Sequence, residues 1–312
     1  MKIAIFGIGG VGGVVGGALA RRYDDIYFYA RGENLRVIRE KGIEVESASL
    51  GNFTARPKLA THDAAEIGVV DVLFITSKGY NLSEVCREAA PMIGPDTAVI
   101  PLLNGLYVAE MMKPYLPPCV LADGIIRILC HLKEPGKVYH QSRLLIRFGM
   151  MDGSKPPVLS EAADLLSKAD VPAEVSEDIL LDVWTKYVVT GGNGAVFCWY
   201  DAPVGGVREN QGYEDVVREF LGEIVSVAAA KGVRLPGDLV DKQIKEFSKL
   251  SPETITSLYR DLKGGKPVEH TELDHLIGNL VRMGKEYGVP TPCHQAVLEK
   301  YAHAGGILPG NG

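Results

Sequence analysis

Short, uninterrupted apolar runs alternate with mixed segments along the first hundred residues. Residues 2–6 (KIAIF) form a β-rich apolar run ended by glycine, which predicts a buried strand. Residues 12–22 read as a helix of small side chains, 25–30 (DIYFYA) as a second strand, and 33–41 as a second helix ending at Gly42. Residues 69–76 (VVDVLFIT), bounded by Lys78 and Gly79, and residues 97–103 are further buried runs, with a helical stretch at 81–93 between them. Strands fully apolar rather than alternating are those covered on both faces, so the pattern predicts a doubly wound parallel sheet. Segments 119–130 and 136–149 are expected as further strands closing this domain.

From about Leu159 the period changes. Amphipathic stretches at 159–168, 177–190, 212–231, 236–249, 271–287 and 293–303 predict helices, and strand signals nearly vanish. The expected division is residues 1–176 as an α/β domain and 177–312 as an all-helical one. A tail over 305–312, rich in glycine and proline, is expected to fray.

Composition narrows the class of function. A net charge of -6 on 312 residues argues against a nucleic-acid partner and against a basic membrane-binding patch. Cys86, Cys119, Cys130, Cys198 and Cys293 are scattered, odd in number and without a Cys-x-x-Cys pair. Neither a disulfide framework nor a metal site is expected, and a reducing, cytoplasmic location fits. Residues 1–20 loosely imitate a secretory signal, but their seven glycines break the stretch into a strand and a turn. No run reaches the roughly 18 apolar residues of a spanning helix.

The candidate chemistry begins at Gly7-Ile8-Gly9-Gly10-Val11-Gly12, a G-x-G-x-x-G between a predicted strand and a predicted helix. In a Rossmann-type domain Gly7 permits the tight turn, Gly9 leaves room for a pyrophosphate, and Gly12 lets helix and strand pack closely. The phosphates would rest on the helix's free N–H groups. The alternative is a glycine-rich turn without a ligand. Where an NAD site would carry Asp or Glu after the second strand, this chain has Arg31, with Arg36 nearby. A cation there suits a 2′-phosphate and favours NADPH, although a surface arginine is also common.

Ligands of open parallel sheets lie at the carboxyl ends of the strands, where Lys78 and Asn104 stand. Asn104, before Gly105, reads equally as an ordinary turn residue or as a hydrogen-bonder to ribose or a carbonyl. Lys186 lies in WTKYVV with Thr190 one turn on. It reads either as a snorkelling lysine or as a half-buried ammonium with a depressed pKa. Ser257–Asp261 (SLYRD) is expected to close a helix, and 269–274 (EHTELD) to open the next. Composition alone selects no catalytic carboxylate.

Taken in order, KIAIFGIGGVGG, ARGENL, Lys78, LLNGL, PGKVYH, WTKYVV, SLYRD, TELDHLIGNLV and YGVPTP resemble the ketopantoate reductase family over nearly the whole chain. The resemblance implies a Rossmann domain and a helical domain with the active site between them, NADPH as cofactor, reduction of a 2-oxo acid such as ketopantoate, and a homodimer. It makes Lys186 the proton donor, Asn104 a contact to cofactor and substrate, Ser257 a substrate hydrogen-bonder and Glu272 the acidic organiser of the site. Two departures stand out. Where the family's ketopantoate reductases carry asparagines, this chain has Thr190, Gly194 and Val204, with Asn193 one residue out of register. The pocket, which includes Thr190, is therefore expected to be less polar, and its acid to differ from ketopantoate. The loop before Glu272 also carries three extra residues by comparison, so counting forward from Asp261 selects Glu269, and counting back from Gly278 and Pro292 selects Glu272, the preferred residue. Another dehydrogenase of β-hydroxyacid or opine type, and a non-catalytic NADP-sensing protein, are the remaining readings.

Overall fold

In the computed structural model, which describes residues 1–305, six strands form one parallel sheet. Their spatial order is Leu59–Thr61, Ile26–Tyr29, Ile3–Phe6, Val72–Ile75, Ala98–Pro101 and Val120–Leu121. In chain order this is 3-2-1-4-5-6, the Rossmann arrangement, and its direction of winding reverses beside Ile3–Phe6. Phe6 lies opposite both Tyr29 and Ile75. The three strands therefore end level, and the residues that follow them share one edge.

Side chains alternate between two cores. Ile3, Ile5, Phe28, Val72, Phe74 and Ile100 face one; Ala4, Phe6, Tyr29, Leu73, Ile75 and Val99 face the other. Burial on both sides is why these strands carry unbroken apolar runs. Helix Leu82–Ala89 covers the second core with Val85, Cys86 and Ala89. Helices Gly10–Arg22, Gly32–Lys41 and Pro157–Lys168 cover the first.

The strands expected over 119–130 and 136–149 build a second sheet. Asp123–Glu134 and Lys137–Gly149 form a long antiparallel hairpin. Lys137–Gly149 also pairs in parallel with Ile43–Ser47 and Ala173–Val175, and Phe53–Ala55 pairs with Ile43–Ser47. The first helix lies between the two sheets, which explains its glycines. A Cβ on Gly16 would stand 2.8 Å from Phe28 on one side, and a Cβ on Gly17 would stand 2.7 Å from Val45 on the other.

The other compact unit comprises Asn104–Leu106 and the chain from Leu180 onward. Its central helix is Ile179–Tyr200, ten residues longer than the apolar period at 177–190 predicts at its C-terminal end. Gly191 and Gly192 do not break it, because a Cβ at either would strike the Tyr187 ring or Leu221, and close packing overrides their poor helix propensity. Helices Tyr213–Ala230, Leu239–Phe247 and Pro292–Gly305 meet it through Leu221, Phe247 and Lys300, and Asn279–Glu286 packs on the first and last of these. Buried Glu223 caps the last of these from the neighbouring helix, accepting from the Cys293 and His294 amides at 2.6 and 3.1 Å. Ser257 opens a short helix, Ser257–Lys263, capped by Thr256, rather than closing one. The expected frayed tail lies, from residue 306, outside the described residues. Among the described residues no helix is long and apolar enough to cross a membrane.

Candidate active site

The glycine loop has a conformation that few other sequences could adopt. Gly7 has φ +97°, and a Cβ on Gly12 would sit 2.2 Å from the Gly7 carbonyl oxygen and 2.5 Å from Thr76 Oγ1. Gly10 is confined by the hairpin, with His131 Cα 2.9 Å from where its Cβ would be. Gly9 differs, for nothing lies within 4 Å of its Cβ position, so the protein itself does not require glycine there. Helix Gly10–Arg22 has neither a side-chain cap nor an acidic residue in its first turn. Its N-terminal N–H groups and positive dipole end thus suit an anion. Asn34 braces the loop, donating to the Ile8 carbonyl at 2.5 Å and accepting from the Gly136 amide at 2.7 Å. Thr76 Oγ1 donates to the Gly7 carbonyl at 2.6 Å. The side chain of Val11 is half-buried beside the first core.

Arg31 follows the second strand at the same edge and precedes helix Gly32–Lys41. Its guanidinium pairs with Glu88 and lies 3.2 Å from the Tyr29 hydroxyl, with about half its side chain exposed. Arg36 is held by Glu33 and, at 2.8 Å, by Glu40. Lys78 is exposed just before the turn Gly79–Asn81.

In the other unit Lys186 is 7% exposed, more deeply buried than the half-burial expected. Its Nζ donates to Asn104 Oδ1 at 2.9 Å across 82 positions of chain. Trp184, Tyr187 and Val188 around it in the helix are buried. His275, absent from the sequence-derived candidates, meets Asn104 at its backbone, its Nε2 2.6 Å from the Asn104 carbonyl oxygen. A lone histidine in an apolar stripe reads as core filling; only its place three residues after Glu272 could have drawn attention to it. Tyr187 donates its hydroxyl to the Leu276 carbonyl, and burial pushes that phenol's pKa upward. The bond ties the lysine helix to the π-helical turn Asp274–Gly278.

Burial separates the two candidate carboxylates, for Glu272 is 3% exposed and Glu269 lies at the surface. Ser257 is half-buried at the start of its helix, and Gly194 faces the adjoining Leu258, whose Cδ2 lies 3.7 Å from the glycine's Cβ position. Thr190, Gly194 and Val204 bring little polarity. Thr190 turns its hydroxyl back to the Lys186 carbonyl at 3.2 Å, Gly194 has no side chain, and Val204 is fully buried.

The family model described as ketopantoate reductase PanE/ApbA matches residues 3–153, and the model for the same family's C-terminal region matches residues 178–303. The chain is 26% identical over 298 residues to the uncharacterized oxidoreductase YkpB of Bacillus subtilis (strain 168), covering 95% of this chain and 96% of that protein. It is 28% identical to 2-dehydropantoate 2-reductase of Porphyromonas gingivalis W83, with a TM-score of 0.82 over 97% of this chain and 99% of that one. It is 25% identical to D-mandelate dehydrogenase in a complex with NADH, with a TM-score of 0.82 over 97% and 98% of the two chains.

Proposed function

Because the chain belongs to the ketopantoate reductase family, an oxidoreductase family, we propose that it reduces a 2-oxo acid to the 2-hydroxy acid with NADPH. The observation that carries this reading is the buried Lys186 ammonium held by Asn104 at 2.9 Å. A nicotinamide cofactor fits the first unit, since the open position at Gly9 and the uncapped helix beyond it match a pyrophosphate. When bound, it would supply the hydride.

The residues of the chain do the rest. The Lys186 ammonium faces the carbonyl oxygen, where negative charge develops, stabilises that charge and donates the proton that completes the alcohol. Burial strengthens the attraction by removing competing water. Asn104 orients the ammonium, the Ser257 hydroxyl receives the acid, and the Glu272 carboxylate organises the site. With Thr190, Gly194 and Val204 in place of amide side chains, the preferred acid has a less polar substituent than ketopantoate.

A second reading, with NADH as cofactor, is favoured by the Glu88 carboxylate already paired with Arg31 and by the NADH complex of D-mandelate dehydrogenase. Initial rates of NADPH and NADH oxidation with ketopantoate, 2-oxoisovalerate, pyruvate and phenylglyoxylate test both readings. Faster turnover with NADPH, and with an apolar acid over ketopantoate, is expected. Faster turnover with NADH would establish the second reading. Tight binding of either cofactor with no acid reduced would leave a non-catalytic dinucleotide-binding protein.

A further inference from the structure

The segment Asn104–Leu106 is gripped by two side chains one turn apart on a distant stretch of chain. His275 Nε2 lies 2.6 Å from the Asn104 carbonyl oxygen, and Asn279 Nδ2 donates to the Leu106 carbonyl at 3.3 Å. A carbonyl only accepts, so Nε2 carries the proton of the first bond. Between the two anchored carbonyls, Gly105 has φ +121°, and a Cβ there would lie 2.3 Å from His275 Nε2. Glycine is thus required both by the backbone angle and by the imidazole pressed against it.

His275 is 4% exposed, and its other nitrogen, Nδ1, is buried without a hydrogen-bond partner. A leucine would fill such a place without orphaning a polar atom. What leucine cannot do is donate to the Asn104 carbonyl. The histidine also stands in a π-helical turn, Asp274–Gly278, which Tyr187 fastens to the lysine helix through the Leu276 carbonyl. The backbone of Asn104 is therefore fixed from the π turn, while its side chain, 2.9 Å from Lys186 Nζ, faces the lysine helix.

We propose that His275 is a positioning residue for the reduction: by holding the Asn104 peptide, with Asn279 as a second anchor, it sets where Asn104 places the Lys186 ammonium. The proposal rests on the reading of Lys186 as proton donor. Its test combines a kinetic readout with one that needs no turnover.

His275→Leu is expected to lower kcat by about ten- to hundredfold, as a small misplacement of a catalytic group does, with the KM for NADPH unchanged. His275→Gln keeps an N–H donor and is expected to restore most of the loss. In an Asn104→Ala background, His275→Leu should cost less than about threefold more, because residues that act through one contact are not additive. Full multiplication of the two losses, or an undiminished kcat in His275→Leu, would overturn the proposal. Independently of turnover, the Asn104 side-chain amide signal in a 15N-labelled sample, assigned by its loss in Asn104→Ala, should shift in His275→Leu and stay in place in His275→Gln. An unmoved signal in folded His275→Leu overturns the positioning role even if the chain reduces no acid, whereas a shifted signal without turnover overturns only the proposed activity.

Discussion

In the first unit a single stretch from Gly7 to Gly12 builds the candidate phosphate site from its own backbone, braced by Asn34 and Thr76. In the second, Lys186, Asn104 and His275 come together across separations of 82 and 171 positions, and side chains do the work. The first kind of site needs glycines, because its function is to leave space and expose N–H groups. The second needs a particular charge in a buried place, which no local pattern can guarantee. One site should therefore fail through added atoms, the other through removed ones.

The largest expected effect is at the lysine. Lys186→Ala should reduce turnover by about 10²–10⁴-fold, the worth of a positioned general acid, while NADPH titrated by fluorescence binds as in the wild type. Wild-type turnover in the mutant would refute the side-chain half of the comparison.

The glycines come next, and two of them should part company. Gly12→Ala places a Cβ against the Gly7 carbonyl and Thr76. It should destabilise the protein by about 1–3 kcal/mol, as overpacking does, measured by chemical denaturation. Gly9→Val places its Cβ where nothing else of the protein lies within 4 Å and should keep wild-type stability while losing NADPH affinity. Equal losses of stability in the two would mean that position 9 is constrained by the fold and not by a ligand.

The smallest effect is expected at the rim of the first site. Arg31→Asp should weaken NADPH binding by about ten- to hundredfold, as for a lost charge-assisted hydrogen bond, and leave NADH nearly unaffected. Glu88→Gln should act in the opposite direction, because Arg31 is then released from its carboxylate partner. Calorimetric titration of both cofactors checks the pair; unchanged NADPH-to-NADH ratios in both variants would remove the 2′-phosphate from the account of Arg31.

Legibility in the sequence followed burial and locality. The runs at Ile3–Phe6, Val72–Ile75 and Ala98–Pro101 were readable because strands covered on both faces have no polar interruptions. The second sheet was readable only in its two long strands, Asp123–Glu134 and Lys137–Gly149. Phe53–Ala55 and Ala173–Val175 are three residues each, too short to show a period, and which strands the 123–149 hairpin would join is a matter of pairing at a distance. Helix Ile179–Tyr200 was readable as far as its apolar period but not across Thr190–Gly194, where the cost of glycine is offset by packing on Tyr187 and Leu221.

The sequence by itself determined the strand–turn–helix at Gly7–Gly12, the succession of α/β and helical regions, and the residue types available for chemistry. These depend on neighbours within a few positions, through glycine's backbone freedom and the periods of strand and helix. Tertiary structure alone decided that Lys186 is buried rather than snorkelling, that Arg31 meets Glu88, that Glu272 is enclosed while Glu269 is exposed, and that His275 holds the Asn104 peptide. The physical reason is common to all four: the environment of a polar side chain is set by whichever distant segment packs against it, and that packing is a property of the whole fold.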